Sequence, residues 1–555
     1  MNLVHCLALA AAAMLVVPLP ACGAAPERGA KSAVKDVKAD KDVKAVKDVK
    51  ADKAVTADKA VRQPAARSPV APPVANPPVA PPAAANQQAA AALAASIRAA
   101  VAASGLDLTK VTVGVSVRDV GSGALVADIG GSTLMVPASN MKVLTTAAAL
   151  RVLGPDFVYR TQLLRSGNRL TVVGDGDPSL GDPDMPSDPG KPVDVDSLIE
   201  PWVNAARDAK IGQVSELVVD DRIFDRQFTH PGWPADQLSN SYCAEISGLE
   251  FNVNLLQAHV GGVGNQATVT GWTPSAPWLA VESKVKADPK KDQGLAIVPT
   301  TDPWKFTLKG NLTRVQKEPI AFCVHDMPRF FARYVGQRMT KAGIAVGTMR
   351  VATEADPVAA GVPVGQPLVR ALPDVVRQCN TESQNMYAES LLKRMGAKRS
   401  GKSGTWENGA AALAAEVDAA LGAGTAAKGL VVKDGSGLCK ENRVAPNLLS
   451  AWLRAIAIDP KVGPVFIGSM AVAGKTGTVA KPKRFRDLDT NRVFVPCKTG
   501  YINGVSCLSG FVGVPGQAPR FTFSILCNDL SKDKNGVGDA KALQEKIVSI
   551  LAGGL

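Results

Sequence analysis

Ser139 and Lys142 stand three residues apart where a helical pattern begins. Both side chains therefore fall on one face, and the lysine amine can take the hydroxyl proton as the serine oxygen attacks a carbonyl. The positive end of that helix favours negative charge developing beside it. Alone the pair says little, because Ser32, Ser283, Ser390 and Ser531 also have a lysine three residues on. Two further patterns accompany it. Ser383-x-Asn385 opens a second helical stretch, while its other copy, Ser166-x-Asn168, reads as a hairpin turn. Lys-Thr-Gly occurs at Lys475–Gly477 and again at Lys498–Gly500, and only one copy can line a given cleft. For Lys142 to act as a base its amine must be neutral for a useful fraction of the time. That requires burial and a nearby cation, which Lys498 could supply.

The elements that must position these residues follow from periodicity. An Ala-rich helix is predicted over 88–103, ending near Gly105, then a hairpin of 111–117 and 124–127 around the turn at 121–123. The helix carrying Lys142 runs from Asn140 to Leu153 and closes at Gly154. Residues 166–360 are turn-rich with short β-type runs (217–219, 267–270, 305–308) and read as inserted β material. Helices return at 384–395, stopping at Gly396, and at 408–421 and 446–457. Strands at 506–514 and 520–527 and a last helix at 539–551 complete the chain. This order implies an α/β sheet whose two halves flank an insert.

Composition removes other chemistries. The 555 residues are 46% hydrophobic with a net charge of +13, and outside the N-terminal leader no apolar run approaches the roughly 20 residues of a membrane span, which excludes a polytopic membrane protein. The four histidines, His5, His230, His259 and His325, lie far from the motifs in sequence and leave little for a zinc site or a Ser-His-Asp triad. Residues 7–17 form a short apolar run broken by Pro18, and Leu19-Pro20-Ala21-Cys22 follows. The run reads as an export signal, so the mature protein is expected outside the cytoplasm. From Glu27 to about Asn86 the chain is Lys-Asp-Val-Ala and then Pro-Val-Ala-Pro repeats, a tether rather than a fold. Its roughly 65 residues could reach on the order of 200 Å at about 3.1 Å each. Up to Arg67 there are 12 Lys and Arg against 7 Asp and Glu, so +5 of the charge belongs to the tether and a nucleic-acid partner is not indicated. Seven cysteines follow Cys22, without metal-like spacing. Burial or partial disulfide pairing is expected, with at least one thiol free and the connectivity open.

In this order, Ser-x-x-Lys, Ser-x-Asn and Lys-Thr-Gly resemble the active-site set of the penicillin-recognising serine acyltransferases. The surrounding strings resemble one branch, the D-alanyl-D-alanine carboxypeptidases and endopeptidases related to penicillin-binding protein four. They are VGVSVRD (113–119), VPASNMK (136–142), GDGDPSL (174–180), SQNMYAESLL (383–392), DGSGL (434–438) and KTGYINGVSCLSGF (498–511). In that branch an Ala-Gly-x-x-Gly-Thr-Leu loop precedes the catalytic strand, and residues 473–479 resemble it. Residues 480–486 make no strand, whereas Lys498 leads into an Asn503-Gly504 turn and an alternating run at 506–512. Lys498, Thr499 and Gly500 are therefore the expected cleft residues.

The resemblance implies an α/β transpeptidase-like catalytic domain (91–165 and 361–555) split by a β-rich region of two subdomains (166–360), after a tether (23–90) and a signal peptide (1–22). It implies Ser139 as nucleophile and Lys142 as its base. Ser383 would relay a proton to the leaving amine, and Asn385 would orient Lys142 and the substrate amide. Lys498 and Thr499 would hold the substrate carboxylate, with the backbone N–H groups of Ser139 and Tyr501 as oxyanion donors. Tyr501 and Gln384 depart from the branch's usual Thr and Asp. The implied partners are peptidoglycan stem peptides and cross-links, and β-lactams, with no cofactor or metal. The Leu-x-Ala-Cys ending resembles a lipobox, which would make Cys22 a lipid anchor in the periplasm. The rivals are a β-lactamase or esterase on the same scaffold and a catalytically silent wall-binding protein.

Overall fold

The computed structural model describes residues 84–185, 194–291, 294–482 and 484–555. The signal peptide, Cys22 and almost all of the tether lie outside them. The central element is a six-stranded antiparallel sheet in the order Ala471–Val472, Pro496–Ile502, Val505–Val512, Phe521–Asn528, Thr112–Asp119, Leu125–Ile129. The first long strand of the fold thus lies beside the last. Strands Val505–Val512 and Phe521–Asn528 are buried at every residue, because helices cover both faces. On one face Ile97 and Val101 of Ala84–Ala102 and Ile547 and Leu551 of Gly536–Gly553 pack on Val115, Leu508 and Phe523. On the other, helices Met141–Leu153, Asn385–Ser400 and Pro446–Ala457 bury Leu144, Leu391 and Leu449 with Cys507, Phe511 and Leu526.

A second sheet runs Ala345–Val351, Gln213–Asp220, Arg169–Val173, Val158–Ser166, Val362–Pro363. Its first three strands are parallel, and Leu368–Ala371 pairs with the start of Val158–Ser166. Ser166-x-Asn168 is the tight turn of its hairpin, with Gly167 at φ 58°. Two three-stranded sheets lie between Leu255 and Cys323. This stretch is less purely β than its turn-rich sequence suggests. Helices Glu200–Asp208 and Met327–Lys341 pack Trp202, Phe331, Tyr334 and Val335 against Leu170, Leu217 and Val219. The second helix starts on an Asp326 side chain that accepts the Arg329 N–H, followed by Met327-Pro328, a start signal of ordinary kind.

Gly396 does not end the helix predicted over 384–395. The helix runs Asn385–Ser400 and ends at Gly401, at φ 68°. A Cβ on Gly396 would come within 2.6 Å of the Gly409 N, so this glycine lets helix Trp406–Leu421 cross closely instead of stopping its own helix. All seven cysteines among the described residues are free thiols, and six of them are buried, so the partial pairing left open by the sequence is not seen.

Candidate active site

Ser139 sits in a 3-10 turn, Ala138–Asn140, that leads directly into helix Met141–Leu153. Ala138 is held at φ 46°, and the facing Gly437, at φ 86°, could carry no side chain, since its Cβ would lie 1.8 Å from the Ala138 carbonyl oxygen. One helical turn along, the fully buried Lys142 Nζ donates to three acceptors: Ser139 Oγ at 3.1 Å, Asn385 Oδ1 at 2.7 Å and the Ser436 carbonyl at 3.0 Å. Asn385 is the first residue of its helix, and its Nδ2 donates to the Tyr242 carbonyl at 2.8 Å, which fixes which end of the amide faces Lys142.

The third wall is strand Pro496–Ile502. The buried Lys498 Nζ donates to Ser383 Oγ at 2.7 Å and to the Thr499 carbonyl at 3.1 Å. Ser383 is a non-glycine residue at φ 63°, a conformation that costs about 1–3 kcal/mol and is tolerated where surrounding contacts over-determine it. Asn140 Nδ2 donates to the Lys498 carbonyl at 3.0 Å and so ties the serine turn to the strand. A Cβ on Gly500 would lie 2.7 Å from the Pro137 carbonyl oxygen, and this bare position allows the strand to close on the turn. Thr499 Oγ1 lies 2.9 Å from Thr478 Oγ1. Tyr501 is 60% exposed, with Lys541 Nζ 5.7 Å from its ring centre.

Burial drives both lysines the same way. The Lys142 amine is pushed down by desolvation, against the pull of Cys379, Glu389 and Asp434. Lys498 is pushed down to about 7 by desolvation and then by the positive charge of Lys142. Two ammonium groups this close cannot both stay charged at ordinary cost, so the pair holds a neutral amine near neutral pH.

The structure brings together Ser139, Lys142, Ser383, Asn385, Lys498 and Thr499, with Gly500 and Tyr501 on the same strand. It leaves the other motif copies elsewhere. Lys475 is exposed beside the turn Gly477–Val479. Ser390 and Lys393 lie in the core: the serine donates to the Met386 carbonyl, and the lysine pairs with Asp225 at 2.6 Å over the Trp406 ring. Sequence reasoning passed over Ser436, which acts through a backbone carbonyl that no side chain announces, and Asn140, in plain view inside the Ser-x-x-Lys motif. A cavity of about 1270 Å³ lies apart from this cluster, near the carboxyl ends of the parallel strands, lined among others by Arg160, Asp175, Asp220 and Lys402. Among the described residues no group of His, Cys, Asp and Glu is placed to hold a metal ion, and no helix is long and apolar enough to cross a membrane.

Known proteins resemble this chain in sequence and in fold. The family model described as the D-Ala-D-Ala carboxypeptidase 3 (S13) family matches residues 93–552. A D-alanyl-D-alanine carboxypeptidase of Actinomadura sp. (strain R39) is 28% identical over 415 residues, covering 68% of this chain and 70% of the relative. The crystal structure of penicillin binding protein 4 from Haemophilus influenzae superimposes with a TM-score of 0.64 at 21% identity, covering 81% of this chain and 99% of that one. A second crystal structure of that protein, complexed with a β-lactam, gives 0.61 at 22% identity over 82% and 98%. The chain belongs to the D-Ala-D-Ala carboxypeptidase 3 (S13) family of serine-type hydrolases.

Proposed function

We propose that this enzyme hydrolyses the D-Ala-D-Ala bond of peptidoglycan stem peptides, or the equivalent D-Ala cross-link, through an acyl intermediate on Ser139. The observation that carries the reading is the convergence of Ser139 Oγ, Asn385 Oδ1 and the Ser436 carbonyl on one desolvated amine. Lys142 takes the Ser139 proton as the oxygen bonds to the substrate carbonyl. The oxyanion forms between the Ser139 and Tyr501 N–H groups. The two-residue turn Asn503-Gly504 makes Ile502 and Val505 the hydrogen-bonded pair at the hairpin end. Alternation then leaves the Tyr501 N–H on the other edge of its strand, where Ala471–Val472 pairs only with Pro496 and Cys497. The departing amine takes a proton through Ser383, whose hydroxyl is held by Lys498, and the D-Ala amine leaves. Water then attacks the acyl carbon, the Ser139 oxygen regains a proton, and the free acid departs. Lys498 and Thr499 hold the terminal carboxylate.

The same reading covers what lies around the site. A β-lactam, seen bound to the Haemophilus influenzae relative, would acylate Ser139 here. Export follows from the leader, and lipidation of Cys22 with the Lys/Pro-rich tether would hold the catalytic part away from a membrane facing the periplasm. Residues 91–165 and 361–555 would form the catalytic domain and 166–360 the insert. In support, the six-stranded sheet takes no strand from 166–360.

Digestion of purified sacculi followed by mass spectrometry tests the function. Fragments lacking one terminal D-Ala or a D-Ala cross-link are expected, and unchanged fragments would refute it. A pH dependence follows from Lys142. The reaction needs Lys142 neutral, and burial holds its amine below the ordinary lysine range, so kcat/KM should rise as Lys142 loses its proton and level off before that range is reached. A profile that still climbs to pH 9–10, the ordinary lysine range, would exclude this assignment.

A further inference from the structure

We infer that Glu389 is a positioning residue of the reaction: it holds the turn that presents the Ser436 carbonyl to Lys142. The inference rests on Lys142 being the base. Glu389 lies one helical turn beyond Asn385 on Asn385–Ser400, so one helix face delivers two groups to the surroundings of the amine, Asn385 by contact and Glu389 through the turn. The Glu389 carboxylate is fully buried. It accepts the Gly435 N–H at 2.8 Å on one oxygen and the Ser436 N–H at 2.8 Å on the other, and the Trp406 indole N–H at 2.8 Å. With both amides captured, the turn is held beside helix Met141–Leu153: the Gly435 carbonyl, in one plane with the Ser436 N–H, points away from Glu389, while the Ser436 carbonyl shares its plane with the Gly437 N–H, which donates to Asp434 Oδ1 at 2.8 Å. Gly435 accepts from Thr145 Oγ1 at 2.8 Å, and Ser436 accepts from Lys142 Nζ. No other side chain among the described residues bonds both amides. Gly435 cannot be bulkier, since its Cβ would lie 2.5 Å from the Ala388 carbonyl oxygen, so the turn sits directly on the helix that bears Glu389.

The carboxylate also matters as a charge. The ionisable groups facing it are Asp434 in the turn, Lys142, Lys393 on its own helix, Cys379 and Cys439, with His230 packed edge-on against Trp406. Burial and the Asp434 charge push Glu389 up to about 7, against its three N–H donors. Its negative charge in turn favours the charged form of Lys142. Glu389→Gln should therefore do two things that loss of packing would not do together. It should lower the second-order rate of acylation by a fluorescent penicillin by about 100-fold, the effect of misplacing a reacting group by about 1 Å. It should also shift the acidic limb of the acylation profile to lower pH. Glu389→Asp keeps the charge but, one methylene shorter, cannot span both amides, so it should lower the rate and leave the limb in place.

Wild-type rate in E389Q, or a lowered rate with an unmoved limb, would overturn the inference. If neither variant folds, amide exchange in the wild type decides. Protection of Gly435 and Ser436 should fall together with acylation as pH drops through 7, and constant protection would overturn it. Wild type that takes no label at all would instead defeat the function proposed above, so the two failures are distinguishable.

Discussion

Ser139→Ala will release D-Ala from a peptide ending in D-Ala-D-Ala about 10⁴-fold or more slowly than wild type, with its fold intact. The size of the effect follows from the geometry. Among the described residues the only hydroxyl bonded to Lys142 Nζ is Ser139 Oγ, and the other two acceptors, an amide and a backbone carbonyl, cannot form an acyl ester. Removing one oxygen at the mouth of a helix deletes no core packing, so the unfolding midpoint should stay close to that of wild type. Rates from D-Ala release, beside a thermal melt of both proteins, check this. A residual activity within tenfold of wild type would place the nucleophile elsewhere.

The second large effect separates the two Lys-Thr-Gly copies. Lys498→Ala removes a buried amine that bonds Ser383 and faces Lys142, and its acylation by penicillin should fall by about 10²–10³-fold, the cost of losing one preorganised polar group in such a site. Lys475→Ala removes an exposed side chain and should stay within about twofold, as surface substitutions do. Time courses of fluorescent penicillin labelling measure both. The reverse order would transfer the strand to residues 475–477.

Much of this site was legible because helices and strands have fixed periods. Ser139 and Lys142 could be paired from an i, i+3 spacing, and Lys498 could be preferred over Lys475 because only the former starts a run with a hairpin turn and strand alternation. What stayed hidden acts through the backbone or across the fold. The Ser436 carbonyl carries no residue signature, and the string 434–438 showed only likeness to a family. Glu389 could have been suspected from its i, i+4 relation to Asn385, but the two turn amides it holds lie more than forty residues away. Gly396 misled because a glycine serving close helix packing looks, in sequence, like a helix stop. The helix Met327–Lys341 was readable from Phe330, Phe331, Tyr334 and Val335 at helical spacing, and was masked by the turn-rich text around it. Burial of the two lysines, which sets their chemistry, depends on three separate stretches of chain closing together and has no local signal.

One covalent bond decides whether Ser139 is the nucleophile. Intact protein incubated briefly with penicillin, digested and mapped by tandem mass spectrometry, should carry a single adduct on the peptide containing Ser139. An adduct on Ser383 or Ser390, or on no serine at all, would contradict it.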